Sequence, residues 1–186
     1  MAIQTQRRTF TVGEYHRMVE AGILTEDDRV ELLCGEITTM APVGSRHALC
    51  VKGLNAMLSE GLRRQAVVGI QDPIVLGESS EPQPDVSVAR PPRRRYAESH
   101  PAPPDIFFVV EVSDTTLLHD RNVKLPLYAC AGIPEVWIVD LGGLRVEVYR
   151  SPSPEGYRDV HYALPGEHIA PLAFPDVSLA VDEMLA

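Results

Sequence analysis

Cysteine is scarce and odd in number: Cys34, Cys50 and Cys130 stand far apart. This excludes a disulfide framework and the paired spacing of a zinc site, and it makes a reducing cytoplasm the expected compartment. Long apolar runs are absent too. None approaches the roughly 20 residues that cross a bilayer, and the opening M-A-I-Q-T-Q-R-R-T-F lacks the apolar core of a secretory signal. Basic residues are in deficit, with 17 Lys and Arg against 26 Asp and Glu, a net charge of -9. That balance argues against indiscriminate polyanion binding, because phosphate contacts need clustered cations. Two local clusters survive it: Arg90 with Arg93, Arg94 and Arg95, and Arg63 with Arg64. There is no internal repeat, heptad or low-complexity tract, and no separate nucleic-acid-reading module.

What is present suits one well-buried unit. A chain of 186 residues that is 45% hydrophobic can build one domain and is short for two. We read residues 1–9 as an arm and residues 10–186 as a single domain. Thr11-x-x-Glu14 fits a capping box for a helix carrying Val12, Tyr15, Met18 and Val19, with Gly22 as its stop. Val30 to Cys34 and Ile37 to Met40 form a hairpin around Gly35-Glu36. Ser45 caps a helix through about Gln65, its apolar face made of Cys50, Leu54, Met57, Leu58 and Leu62. Ala66 to Ile70, Pro73 to Leu76 and Pro84 to Ala89 read as strands, and Arg90 to Pro104 as a surface excursion with a helical turn near Arg94 to Glu98.

The organising stretch is D-I-F-F-V-V-E-V-S-D, Asp105 to Asp114. Its unbroken apolar run marks a strand covered on both faces, interrupted by one carboxylate, Glu111. The helix after it ends near Cys130 or Ala131, with Val123, Leu127, Cys130 and Ala131 as its buried stripe and Gly132 as its stop. Pro126 imposes a kink or a tight start. Glu135 to Asp140 is a second central strand, parallel to the first because a helix connects them. Arg145 to Arg150 alternates like an edge strand, and weak strands near Tyr157 to Ala163 and Val177 to Val181 close the chain.

Three acids interrupt or open apolar strands: Glu31, Asp85 and Glu111. Gathered carboxylates repel one another's charge unless a divalent cation joins them, and hard oxygen ligands suit Mg²⁺ or Mn²⁺ better than zinc. Such an ion holds a phosphate oxygen and acidifies an attacking water. Lys124, on the helix leaving the central strand, is the candidate positive group.

These residues carry a resemblance. Pro84-Asp85 followed by Glu111-Val112-Ser113 resembles the PD-(D/E)XK nuclease signature. The wider text is similar to the Uma-type restriction-endonuclease-like family through V-E-L-L-C-G-E-I, S-R-H, Q-D-P-I, E-P-Q-P-D-V-S-V, P-P-D-I-F-F-V-V-E-V-S, D-R-N-V-K-L-P-L-Y and A-G-I-P-E-V-W-I-V-D, in order across roughly residues 10 to 185. The resemblance implies an α/β fold, a mixed β-sheet flanked by helices, and Mg²⁺-dependent phosphodiester cleavage. It makes Asp85 and Glu111 metal ligands, Lys124 the family's displaced lysine and Glu31 the completing acid. Ser113 departs from the parent signature, which has lysine there.

His47 and Gln71 are weaker candidates for orienting water or substrate, with a helix cap or core hydrogen bond as the plain alternative. Arg93 and Arg94 are weaker candidates for phosphate contact. Asp114 and Asp120 read as turn and cap residues. The expected partner is double-stranded DNA and the expected assembly a homodimer. The competing expectation is a catalytically inactive descendant that keeps the fold as a binding or assembly module.

Overall fold

A computed structural model describes residues 7–185; most of the expected N-terminal arm, residues 1–6, lies outside that range. In chain order the elements are α1 (Val12–Glu20), β1 (Val30–Leu33), β2 (Glu36–Thr39), α2 (Ser45–Leu62), β3 (Val67–Ile70), β4 (Val86–Ala89) and β5 (Ile106–Ser113). There follow α3 (Leu117–His119), a π-helical turn (Asp120–Lys124), α4 (Leu125–Cys130), β6 (Glu135–Asp140), β7 (Arg145–Ser153), β8 (Gly156–Ala163), β9 (His168–Ile169), β10 (Leu179–Ala180) and α5 (Val181–Leu185). The fold is α/β: a six-stranded mixed sheet, ordered β3-β4-β5-β6-β7-β8 and flanked by helices, in which β5 and β6 run parallel and the other neighbours antiparallel.

The central strand is covered on both faces, as its apolar run requires. Phe108, Val110 and Val112 face α2 through Leu54, Leu58 and Leu62, and Trp137 packs beside Phe108 with ring centroids 4.9 Å apart. Val109 faces the other layer with Ile138, Ile133 and Tyr128. The Thr11 capping box forms as expected. So does the first hairpin, though its turn is Cys34-Gly35, one residue before the expected Gly35-Glu36: Leu33 pairs with Glu36, and Cys34 at φ 49° and Gly35 at φ 78° are the left-handed pair of a two-residue hairpin. A side chain at Gly35 would also meet the Thr9 Cβ at 2.6 Å.

Four local expectations are corrected. Gly44, not Ser45, is the N-cap of α2, and it makes no side-chain capping bond. Pro73 to Leu76 is not a strand: its N–H groups go to three separate carbonyls, Ile74 to Pro82, Val75 to Pro101 and Leu76 to Ser80. Two of those acceptors are prolines, which have no N–H to return, so no ladder can form. The segment Arg145 to Arg150 is not an edge strand, because β8 pairs along β7 from Val146 to Ser153. Its polar alternation instead faces a buried ionic cluster. Glu147, 0% exposed, pairs with Arg121 and with Arg145 at 3.0 Å, and accepts the Tyr149 hydroxyl at 2.6 Å.

The fourth correction concerns the helix after β5. Val123 and Cys130 are exposed, while Asp120, Lys124 and Tyr128 face the sheet. Pro126 sits in the first turn of α4, just after a wider π turn in which the Leu125 N–H reaches back to the Asp120 carbonyl. The extra residue in that turn rotates the face presented to the sheet, as π-bulges do. Arg121, in the same turn, is anchored on Glu147 of β7 and lies 3.8 Å from Asp140 of β6.

That anchor is testable. Removing one partner of a buried ionic cluster leaves uncompensated charge. Arg121→Ala therefore lowers the free energy of unfolding by about 3 kcal/mol in urea titration. An unchanged midpoint would mean that Arg145 alone satisfies Glu147.

Candidate active site

Strand register assembles the acids. The pairing of β4 with β5 sets Val86 opposite Val110, so one residue further along Asp85 comes beside Glu111. There the Asp85 carboxylate ends the ladder itself, its Oδ2 accepting the Val112 N–H at 2.8 Å. On the other side β3 pairs with β4, and the Gln71 N–H bonds the Asp85 carbonyl at 3.1 Å. Glu31 arrives from the first hairpin, which a bridge between Leu32 and Glu81 ties to the segment leading into β4. The Gln83 N–H holds Glu31 Oε2 at 3.1 Å.

Lys124 closes the group. Its Nζ lies 3.2 Å from Glu111 Oε1 and 3.3 Å from Glu31 Oε2, with the Gln83 carbonyl at 3.4 Å. The lysine is only 5% exposed. Burial works against its charge, but Glu111 and Glu31 together outweigh that and hold the amine above its ordinary value. Glu111 Oε1 also accepts the Tyr128 hydroxyl at 2.5 Å. Burial pushes the Glu111 carboxyl up to about 8, with Asp120 and Asp85 adding to the rise and Lys124 and Tyr128 opposing it.

His47 Nε2 lies 3.0 Å from Asp85 Oδ1, and Gln71 Nε2 lies 3.3 Å from the same oxygen. The bond to Asp85 is the main cause of a raised imidazole pKa at His47, and burial acts against it. Glu31, His47, Gln71, Asp85, Glu111 and Lys124 thus line one cleft of about 560 Å³. Arg93 and Arg94 do not join it; they line a separate groove.

Two residues at the cleft escaped the sequence reading. Asp120, read as a cap, is buried and accepts the hydroxyls of Ser113 at 2.6 Å and Thr116 at 2.7 Å. Tyr128 was not singled out at all. The available signal was the spacing Asp120, Lys124, Tyr128, four residues apart each time, which puts three polar side chains on one helical face. Ser113, at the position where the parent signature has lysine, fixes Asp120 rather than supplying charge.

Four buried carboxylates (Glu31, Asp85, Glu111 and Asp120) therefore surround one ammonium and one imidazole. This donor set is short of positive charge and made of hard oxygens, the chemistry that suits a divalent cation. Among the described residues no group of three or more His, Cys, Asp or Glu side chains is placed to hold a metal ion. An ion held by two carboxylates and otherwise hydrated is the arrangement Mg²⁺ favours.

The profile of the Uma2 family, described as "Putative restriction endonuclease", matches residues 12–182. The chain belongs to the Uma2 family. Its fold is similar to a crystal structure from Anabaena variabilis ATCC 29413, described as "a putative nuclease belonging to DUF820". The two share 15% sequence identity, and the match covers 95% of this chain and 97% of that one at a TM-score of 0.74. No curated protein matches significantly. Among the described residues, no helix is long and apolar enough to cross a membrane.

The raised Glu111 value has a consequence for stability. Its folded-state pKa lies above the unfolded one, so ionisation opposes folding. The cost is absent below the ordinary carboxylate range, grows as pH rises from about 4.5 to about 8, and is constant beyond. Glu111→Gln is thus as stable as the parent near pH 4 and more stable at pH 9, by on the order of a few kcal/mol. Parallel pH–stability curves for the two proteins would refute a costly charge at this position.

Proposed function

We propose that this member of the family is a metal-dependent endonuclease that hydrolyses phosphodiester bonds, with double-stranded DNA as substrate. One observation carries the reading. Glu31 and Glu111, from separate parts of the chain, hold a buried lysine in one cleft that Asp85 also lines, on a chain whose family is described as "Putative restriction endonuclease".

Asp85 and Glu111 are the residues that would hold Mg²⁺, or Mn²⁺ in its place. Bound there, a divalent cation supplies a polarised phosphoryl oxygen and an acidified water. Without a cation the four carboxylates repel a phosphodiester, so this chain's own residues make substrate binding depend on added positive charge. Lys124 places an ammonium where charge builds on the phosphoryl group as the water oxygen bonds to phosphorus and the bond to the leaving oxygen breaks. Glu31 and Glu111 together orient that ammonium. His47 and Gln71 fix the rotamer of Asp85, and Tyr128 fixes that of Glu111. Cutting both strands of a duplex calls for two such sites, and a homodimer is the simplest source.

A second reading, an inactive module that keeps the fold, is favoured by one feature: Lys124 already bridges Glu31 and Glu111, and so neutralises part of the cluster without a metal. Incubating the purified protein with supercoiled plasmid tests the first reading. Nicking or linearisation requires Mg²⁺ or Mn²⁺ and stops with chelator. It falls on the order of 10²–10³-fold in Lys124→Ala and is lost in Asp85→Ala and Glu111→Ala. Cleavage that survives both acid substitutions would sink the proposal. Calorimetric titration with Mn²⁺ separates the readings: an inactive relic shows no binding heat that depends on Asp85.

A further inference from the structure

Several arginines of this acidic chain are already engaged. Arg46, Arg95, Arg121, Arg145 and Arg150 pair with carboxylates, and Arg90 lies over the Phe107 ring. Arg63, Arg64, Arg93 and Arg94 are exposed and have no ion pair among the described residues. Separated in sequence, these four converge on one groove of about 1130 Å³ along β3, at the edge of the main sheet. Asp72 is the one acidic side chain lining it.

The groove is not isolated. It shares Tyr96, Ala97 and His100 with a larger groove of about 1540 Å³. That groove in turn shares Arg29, Met40, Gln71 and Gln83 with the acid cleft. Along the sheet edge the arginine groove is bordered by Val67 to Gly69 and by Asp72, and the cleft by Gln71. From Val67, the end next to Arg63 and Arg64 in the chain, to Gln71 is four residues, roughly 13 Å at about 3.3 Å per residue. That is about four nucleotides of one strand at the axial rise of a duplex.

We infer that the Arg63, Arg64, Arg93 and Arg94 groove is a backbone-binding surface for nucleic acid, holding phosphates a few nucleotides away from the one presented to Lys124. It rests on the nuclease reading for the identity of the polymer, and it adds a site that acts on affinity rather than on chemistry. Guanidinium groups free of internal carboxylates suit phosphate, which they can meet with two parallel N–H bonds. Contacts of this kind carry no base information, so the surface binds duplexes of any sequence alike.

The test is fluorescence anisotropy with short labelled DNA and RNA duplexes, on the full chain, with Ca²⁺ in place of Mg²⁺ and a salt series. Arg93→Ala/Arg94→Ala weakens binding about tenfold or more across unrelated sequences and lowers the slope of log affinity against log salt by about 2. Arg64→Ala alone lowers that slope by about 1. Arg158→Ala, an exposed arginine on β8 at the opposite edge of the sheet, changes neither. Loss on only one of the two duplexes supports the surface and names its polymer. Wild-type affinity and slope in the double variant overturn it, as does a loss equalled by Arg158→Ala, or a loss seen on anionic vesicles but on neither duplex. Plasmid cleavage is read separately. Absent cleavage with arginine-dependent binding overturns the nuclease reading alone, and intact cleavage with arginine-independent binding overturns this surface alone.

Discussion

The ion pair between Glu111 and Lys124, 3.2 Å apart and shut away from bulk water, is the contact on which the arrangement of the cleft depends. A carboxylate on a strand packed on both faces cannot be solvated, and a single ammonium does not compensate it fully. The fold recruits Tyr128 on the same oxygen and still leaves the acid reluctant to ionise. Strain of this sort is conserved in a structure only when something else over-determines it. Here the over-determination comes from the sheet. The register of β3, β4 and β5 sets Gln71, Asp85 and Glu111 in one row across three strands.

The π turn is the second half of the same device. Arg121 and Lys124, three residues apart, serve different clusters: Arg121 pins the turn to β6 and β7, and Lys124 reaches back to β1 and β5. A regular helix through Pro126 would lose a backbone bond and would present a different face to the sheet. Widening the turn by one residue lets the proline sit in the first turn of α4, with Asp120, Lys124 and Tyr128 all turned to the sheet.

Much of this was legible in the sequence. The apolar run from Ile106 to Val110, the helix after it and the run from Glu135 to Asp140 announce a parallel pair, and the two strands pair so. Gly35 announces the hairpin. Glu31, Asp85 and Glu111 stand out because each breaks an apolar pattern, and that pattern is enough to predict burial. What periodicity could not reach was the phase of the helix after β5. A period of 3.6 fitted to the apolar residues assigns Val123 to the core, whereas the face that meets the sheet is the polar one of Asp120, Lys124 and Tyr128, and Val123 is exposed. The β7 strand misled for a related reason. Alternating charges ordinarily mean an exposed face, whereas Glu147 is buried against Arg121 from the π turn and Arg145 of its own strand.

The inward use of arginine has an effect beyond local stability. Guanidinium groups of Arg121, Arg145 and Arg150 are committed to Glu147, Asp140 and Glu135, so they lend little positive potential to the outer surface. A chain with a net charge of -9 then presents a polyanion with repulsion over most approaches and attraction over few. Such a molecule is oriented during encounter, before any contact forms. Added salt acts on both terms at once, weakening capture on the attractive side and easing the repulsion that rejects wrong approaches. Orientation on arrival, and not affinity alone, then sets the ionic strength at which the protein meets its partner productively.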